Sequence, residues 1–187
     1  MKTISYHILD IVQNSLNAGA DLVQFSISED DVRGLFTIVI EDNGRGMNYE
    51  TLQKAIDPCF TTRTERKVGL GLSLLKQNTE RTGGDFSIDS KPGEGTCVKA
   101  EFLKTHIDCP AIGDLAGTIH QVMVFNPAKD FIYRHNKNGV GFEIDSRQIK
   151  EVLDQLPLYH PEISRCVEEI IRENLNELQK SAVDEYY

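Results

Sequence analysis

Asp42-Asn43-Gly44-Arg45-Gly46-Met47 follows closely on the apolar run Leu35–Ile40, and its surroundings decide how it is read. The run predicts a strand that is central or covered on both faces. The loop then sets a carboxylate at a strand end, followed by two glycines one residue apart, where backbone can approach a planar ligand closely. Such a carboxylate accepts a hydrogen bond from an exocyclic amine such as that of adenine, and Met47 adds a soft apolar contact. Taken alone, the same residues also fit a plain Asp-Asn-Gly turn between strand and helix.

Upstream, Ile4, Ile8, Ile11, Val12 and Leu16 recur at three- and four-residue steps and predict a helix stopped by Gly19. At about 100° per residue, His7, Asp10, Asn14 and Asn17 form a polar stripe, with Asp10 and Asn14 one turn apart. By itself that stripe also fits a solvated helix face. Val23, Phe25 and Ile27 alternate with polar residues as in a half-buried strand, and the acid-rich residues 29–34, closed by Gly34, predict a hairpin turn.

Downstream, a short helix is expected around Tyr49–Ile56, ended by Pro58. Residues 58–70 hold many Thr and Arg and no period, which predicts a mobile segment. Gly69-Leu70-Gly71-Leu72 then opens an amphipathic helix to about Arg81, where free N–H groups and the helix dipole favour phosphate. Arg63, Arg66 and Lys67 just before it suit a triphosphate lid. Asn14 can then ligate Mg²⁺ through its amide oxygen, and Asp10 can orient or deprotonate a water or hydroxyl. Phe86–Ile88 and Val98–Phe102 predict two strands around the turn Lys91–Gly95.

Composition sets the bounds. A chain of 187 residues with 40% hydrophobic content fills one core and leaves room for an appendage beyond a typical domain of about 100–150 residues. The net charge of −9 excludes nucleic-acid binding by general phosphate attraction. Through Thr105 there are 15 acids against 12 bases, and 14 against 8 after it, a surplus that fits a solvated helical face. Cys59, Cys97, Cys109 and Cys166 lack paired zinc spacing and read as reduced thiols. No signal-peptide core and no run of roughly 18 apolar residues occurs, so a cytoplasmic protein without a membrane segment is expected.

The three elements together resemble the Bergerat ATP-binding fold shared by histidine-kinase catalytic domains, type II topoisomerases, mismatch-repair ATPases and heat-shock chaperones. Asp10 to Ser15 resembles the asparagine box, Asp42 to Gly46 the first glycine box and Gly69 to Leu72 the second. Asp57-Pro58-Cys59-Phe60-Thr61-Thr62-Arg63 resembles the phenylalanine box of histidine kinases, and Gly83 to Thr96 their closing strand pair. The resemblance covers about residues 5–103. It implies an α/β (α+β two-layer) sandwich, its mixed sheet covered on one face by helices. It further implies ATP and Mg²⁺ as cofactors: Asn14 on the metal, Asp42 on the adenine amine, Gly44, Gly46 and Met47 around the base, and Thr96 beside it. Gly69 and Gly71 would meet phosphates with their neighbours Leu70 and Leu72, and Thr61, Thr62, Arg63, Lys67 and Val68 would form the lid. Three positions depart from the pattern. Asp10 stands where ATP-hydrolysing relatives have Glu, Asn17 where many histidine kinases have a phosphate-binding Lys, and Lys67 where a glycine is expected.

Residues 106–187 predict a separate small α+β domain, an α-β-β-α-α extension. It comprises a helix near Asp114–Phe125, a hairpin turning at Asn138-Gly139, and helices starting near Ser146 and Pro161. The stripe Ile163, Val167, Ile170, Ile171, Leu175 and Leu178 on the last helix fits packing on its own domain, with a homodimer contact as the alternative. A phosphoacceptor hairpin of the kind that precedes the ATP domain in histidine kinases is not expected here, and His106, His120, His135 and His160 lack the acceptor pattern. Two functions follow: a kinase-like subunit that transfers the γ-phosphate to a separate protein or slowly to water, or a nucleotide-gated module that presents the extension to a partner.

Overall fold

The computed structural model describes residues 3–57, 70–153 and 156–184. Helix α1 (Ile4–Asn17) is capped by Thr3, whose side chain accepts the Tyr6 N–H, and it turns Ile4, Ile8, Ile11 and Val12 into the core. Strands β1 (Leu22–Asp30) and β2 (Leu35–Asp42) form an antiparallel hairpin. After them come α2 (Tyr49–Ile56), α3 (Leu70–Arg81), β3 (Phe86–Lys91) and β4 (Gly95–Leu103). Asn48 caps α2, and Asp57 leaves it in an extended conformation, as the residue before a proline does. The extension supplies α4 (Leu115–Phe125), β5 (Asp130–Lys137), β6 (Val140–Asp145), α5 (Ser146–Val152) and α6 (Pro161–Asp184), in the expected α-β-β-α-α order.

One mixed sheet in the order β3-β4-β2-β1-β5-β6 organises these elements. β1 and β5 run parallel and the other neighbours antiparallel. Val23, Phe25 and Ile27 share a buried face with Phe36, Ile38 and Ile40 and with Val98, Ala100 and Phe102, and α1, α3, α4 and α6 contribute side chains to the same core. Burying each of the larger side chains contributes about 1.5–3 kcal/mol. β2 is central, with Thr37 and Val39 only half-buried on its other face. Covering on one face is therefore the correct reading of its apolar run.

The acid-rich turn begins later than the sequence suggests. Glu29 and Asp30 belong to β1, because the Glu29 carboxylate is buried and accepts hydrogen bonds from Lys104 Nζ at 3.0 Å and His135 Nε2 at 3.1 Å. Both partners are remote in sequence, so no local pattern announces them. Tyr133 Oη and His135 Nδ1 stand 2.6 Å apart and extend the buried network. Burial pushes the Glu29 carboxyl up, but the hydrogen bonds from His135 and Lys104 outweigh it and hold the group below the ordinary carboxylate range.

The extension enlarges the sheet through the β1–β5 pairing. Ahead of it, the carbonyls of Ala111 and Ile112 accept the N–H groups of Ile4 and Ser5 at 2.9 Å each, satisfying donors that a helix start otherwise leaves open. The hairpin turns at Asn138 (φ 51°) and Gly139 (φ 92°), the left-handed pair that an Asn-Gly turn requires. In α6, Val167, Ile171 and Leu178 are buried and Ile170 is exposed, so most of its apolar stripe packs within the chain. His120 Nε2 and Ser164 Oγ, 2.8 Å apart, join α4 to α6. Among the described residues no helix is long and apolar enough to cross a membrane, and Cys97, Cys109 and Cys166 are free thiols.

Candidate functional site

Asp42 is the last residue of β2 and falls on the same face as Phe36, Ile38 and Ile40. The sheet's buried face thus ends in a half-buried carboxylate. Thr96 on β4 is its cross-strand partner, so the two side chains stand next to each other on that face. The carboxylate is oriented by two neutral donors: Ser15 Oγ of α1 at 2.6 Å and the Gly44 N–H at 2.9 Å. Each oxygen retains acceptor capacity, since a carboxylate offers about four lone-pair sites.

The loop after Asp42 is tied down along its length. Asn43 Oδ1 accepts the N–H groups of Asp21 and Leu22, Arg45 N–H donates to Ala18 O at 3.0 Å, and Met47 N–H donates to Ser90 Oγ at 2.8 Å. Gly46 has φ +62°, and a Cβ there would lie 1.9 Å from the Lys91 carbonyl oxygen. Conformation and space both demand glycine at this position. Gly44 is buried, and a Cβ on it would stand 3.0 Å from that of Ala18.

Asp10 and Asn14 are half-buried on α1 and face the first turn of α3. A Cβ placed on Gly71 would be 3.2 Å from the Asp10 Cβ and 3.6 Å from Asn14 Nδ2. Seven residues on, Asn78 of α3 lies 2.8 Å from His7 Nε2. The contacts advance along α3 as they retreat along α1, so the helices pack antiparallel with the stripe His7, Asp10, Asn14 in the seam. The N-terminal, positive end of the α3 dipole thereby lies beside Asp10 and Asn14. An amide oxygen and a carboxylate beside a helix N-terminus suit a hard cation shared with phosphate, so these residues fit Mg²⁺. Asn17, at the last turn of α1, is exposed.

The structure therefore brings Asp10, Asn14 and Gly71 together at one place and Asp42, Gly44, Gly46, Met47 and Thr96 at another, with Ser15, the neighbour of Asn14, bridging to Asp42. Leu72 is buried and belongs to the core. Thr61, Thr62, Arg63, Lys67, Val68, Gly69, the side chain of Leu70, and the phenylalanine-box residues from Pro58 on lie outside the described residues. Sequence reasoning alone missed Ser15 and Asn43, whose partners are 27 and 21–22 residues away. Their position beside Asn14 and Asp42 was the one available signal.

Known proteins share both the sequence and the fold. A sensor protein of Shewanella frigidimarina is 33% identical over 103 residues, 54% of this chain and 16% of that protein. Sensor histidine kinase YxdK of Bacillus subtilis is 28% identical over 109 residues, 54% of this chain and 33% of its own length. The chain thus spans a third or less of these curated relatives. Among solved structures, the MutL ATPase domain of Aquifex aeolicus complexed with ADP matches with a TM-score of 0.50 at 15% identity, over 82% of this chain and 69% of that one. That likeness of fold reaches beyond residue 106 into the extension. Residues 2–106, more than half of the chain, match the family described as histidine kinase-, DNA gyrase B-, and HSP90-like ATPase, and this chain belongs to that family.

Proposed function

We propose that the chain binds Mg-ATP and transfers the γ-phosphate to a separate protein, or slowly to water, in a signalling or regulatory role in the cytoplasm. Asp42 accepts the adenine amine in this reading, Gly44, Gly46, Met47 and Thr96 shape the base pocket, and Asn14 ligates Mg²⁺. The α3 start, Gly69-Leu70-Gly71, meets the phosphates, with Asn17 at the margin and Thr61, Thr62, Arg63, Lys67 and Val68 as the lid. Asp10 takes the proton of the attacking hydroxyl or water as the bond from the β–γ bridging oxygen to the γ-phosphorus breaks and ADP departs. Residues 1–105 act as the nucleotide-binding unit, and residues 106–187 offer a surface to the protein partner.

The observation that carries this reading is the convergence of Asp10 and Asn14 on Gly71 at the start of α3. Sensor kinases among the relatives support the direction of transfer. Incubation with γ-labelled ATP tests it: label on protein or as free phosphate is expected from the wild type and lost in Asp10→Asn. Tight binding without Asp10-dependent turnover would instead favour a nucleotide-gated binding module, to which the shorter reach of Asp10 is suited. Unchanged ATP affinity in both Asn14→Ala and Asp42→Asn would remove either reading.

A further inference from the structure

Ser90 sits behind the base pocket with three polar contacts and a single proton. The Met47 N–H lies 2.8 Å from its Oγ, the Gly95 carbonyl oxygen 3.0 Å, and the Thr96 hydroxyl 2.9 Å. A serine hydroxyl has one donor and two acceptor lone pairs, so these contacts saturate it. Their directions are also fixed. Met47 N–H can only donate. The Gly95 carbonyl can only accept, so the 3.0 Å approach of two oxygens requires the Ser90 proton between them. The Thr96 hydroxyl must therefore donate to Ser90, which spends its only proton.

We infer that Ser90 is a specificity-determining residue: by consuming the Thr96 proton it makes Thr96 a pure acceptor beside the carboxylate Asp42, and the pocket selects a 6-amino purine over a 6-oxo purine. The inference rests on the adenine site proposed above and adds how that site rejects the wrong base. Asp42 and Thr96 are cross-strand neighbours at one sheet end, so a purine 6-substituent placed at Asp42 also meets Thr96. An amino group offers two hydrogens to these acceptors. A carbonyl offers none and faces unpaired lone pairs, the kind of mismatch a polar site rejects most strongly. Ser90 itself need not touch the nucleotide, so it acts as a positioning residue through Thr96.

Calorimetric titration of the full chain with ADP and with IDP, in Mg²⁺, tests this, because the two differ only in the base edge. The wild type is expected to prefer ADP by on the order of 100-fold, and Ser90→Ala, which frees the Thr96 hydroxyl to turn and donate to the carbonyl, should narrow that ratio by about fivefold to tenfold. Ser90→Thr keeps the hydroxyl and should keep the ratio. Thr96→Val removes the acceptor at nearly constant volume and should narrow the ratio through weaker ADP binding, and it decides the matter if Ser90→Ala does not fold. A merely structural Ser90 would weaken ADP and IDP by the same factor, and that result overturns the inference while leaving the ATP site standing. A wild type that binds neither nucleotide removes the ATP site and this inference together.

Discussion

Two carboxylates on the same face of neighbouring strands meet opposite fates. Glu29, near the end of β1, is 3% exposed and held by Lys104 and His135. Asp42, at the end of β2, is half-buried, and its hydrogen bonds come from the hydroxyl of Ser15 and the backbone of Gly44. A buried charge needs a partner of opposite charge or a full set of donors, and Glu29 has found its cation within the fold. Asp42 is oriented by neutral groups that leave its charge for something else to meet. The first arrangement builds structure, and the second suits the binding role proposed for Asp42.

The comparison breaks first at Glu29. Glu29→Ala leaves Lys104 and His135 facing each other without their shared anion, and should cost about 3–5 kcal/mol in urea denaturation while nucleotide affinity of the folded protein stays within about twofold. Next comes Asp42→Asn, which should weaken ATP binding by about 10- to 100-fold, the worth of a hydrogen bond to a charged group, while changing stability by less than about 1 kcal/mol. If Asp42→Asn destabilises the fold as much as Glu29→Ala does, the division between the two ends fails.

Acid sharpens the contrast. Because the Glu29 pKa is depressed in the folded state, its contribution is fully present above the ordinary value of 4.5 and is lost as pH falls below it through the folded pKa. Denaturation midpoints should therefore be flat in this respect above pH 5 and fall below about pH 4.5, and Glu29→Gln should flatten that fall. The smallest effect concerns Cys97 on β4, where burial, then the neighbouring Glu41 carboxylate, pushes the thiol up to about 11. Iodoacetamide at pH 8 should label exposed Cys166 well before Cys97, as read by peptide mass spectrometry.

Much of this molecule was legible locally. The three- and four-residue spacing of Ile4, Ile8, Ile11 and Leu16 gave α1, alternation gave the strand through Val23 and Ile27, and Asn138-Gly139 gave its hairpin turn. Stretches that depend on a single period or a single turn geometry carry their own instructions. Glu29 was misread as turn because an acid looks like a turn residue until a lysine and a histidine arrive from distant positions. The proposed base pocket was marked by Asp42, Gly44 and Gly46, with Thr96 added by the family resemblance, but the groups that hold Asp42 and Thr96, Ser15 and Ser90, have polarity and partners that no periodicity encodes.

By itself, the sequence determined the elements and their order and marked Asp10, Asn14, Asp42 and Gly71 as candidates, because helix period, strand alternation and glycine-bearing turns are written in neighbouring positions. Tertiary structure alone decided that β5 joins β1 in parallel, that Glu29 is buried with Lys104 and His135, that Gly71 meets Asp10 and Asn14, and that the Thr96 hydroxyl meets Ser90. The reason is physical: burial and hydrogen-bond direction are properties of groups brought together from far along the chain. They come into being only when the sheet closes and the helices settle on its face.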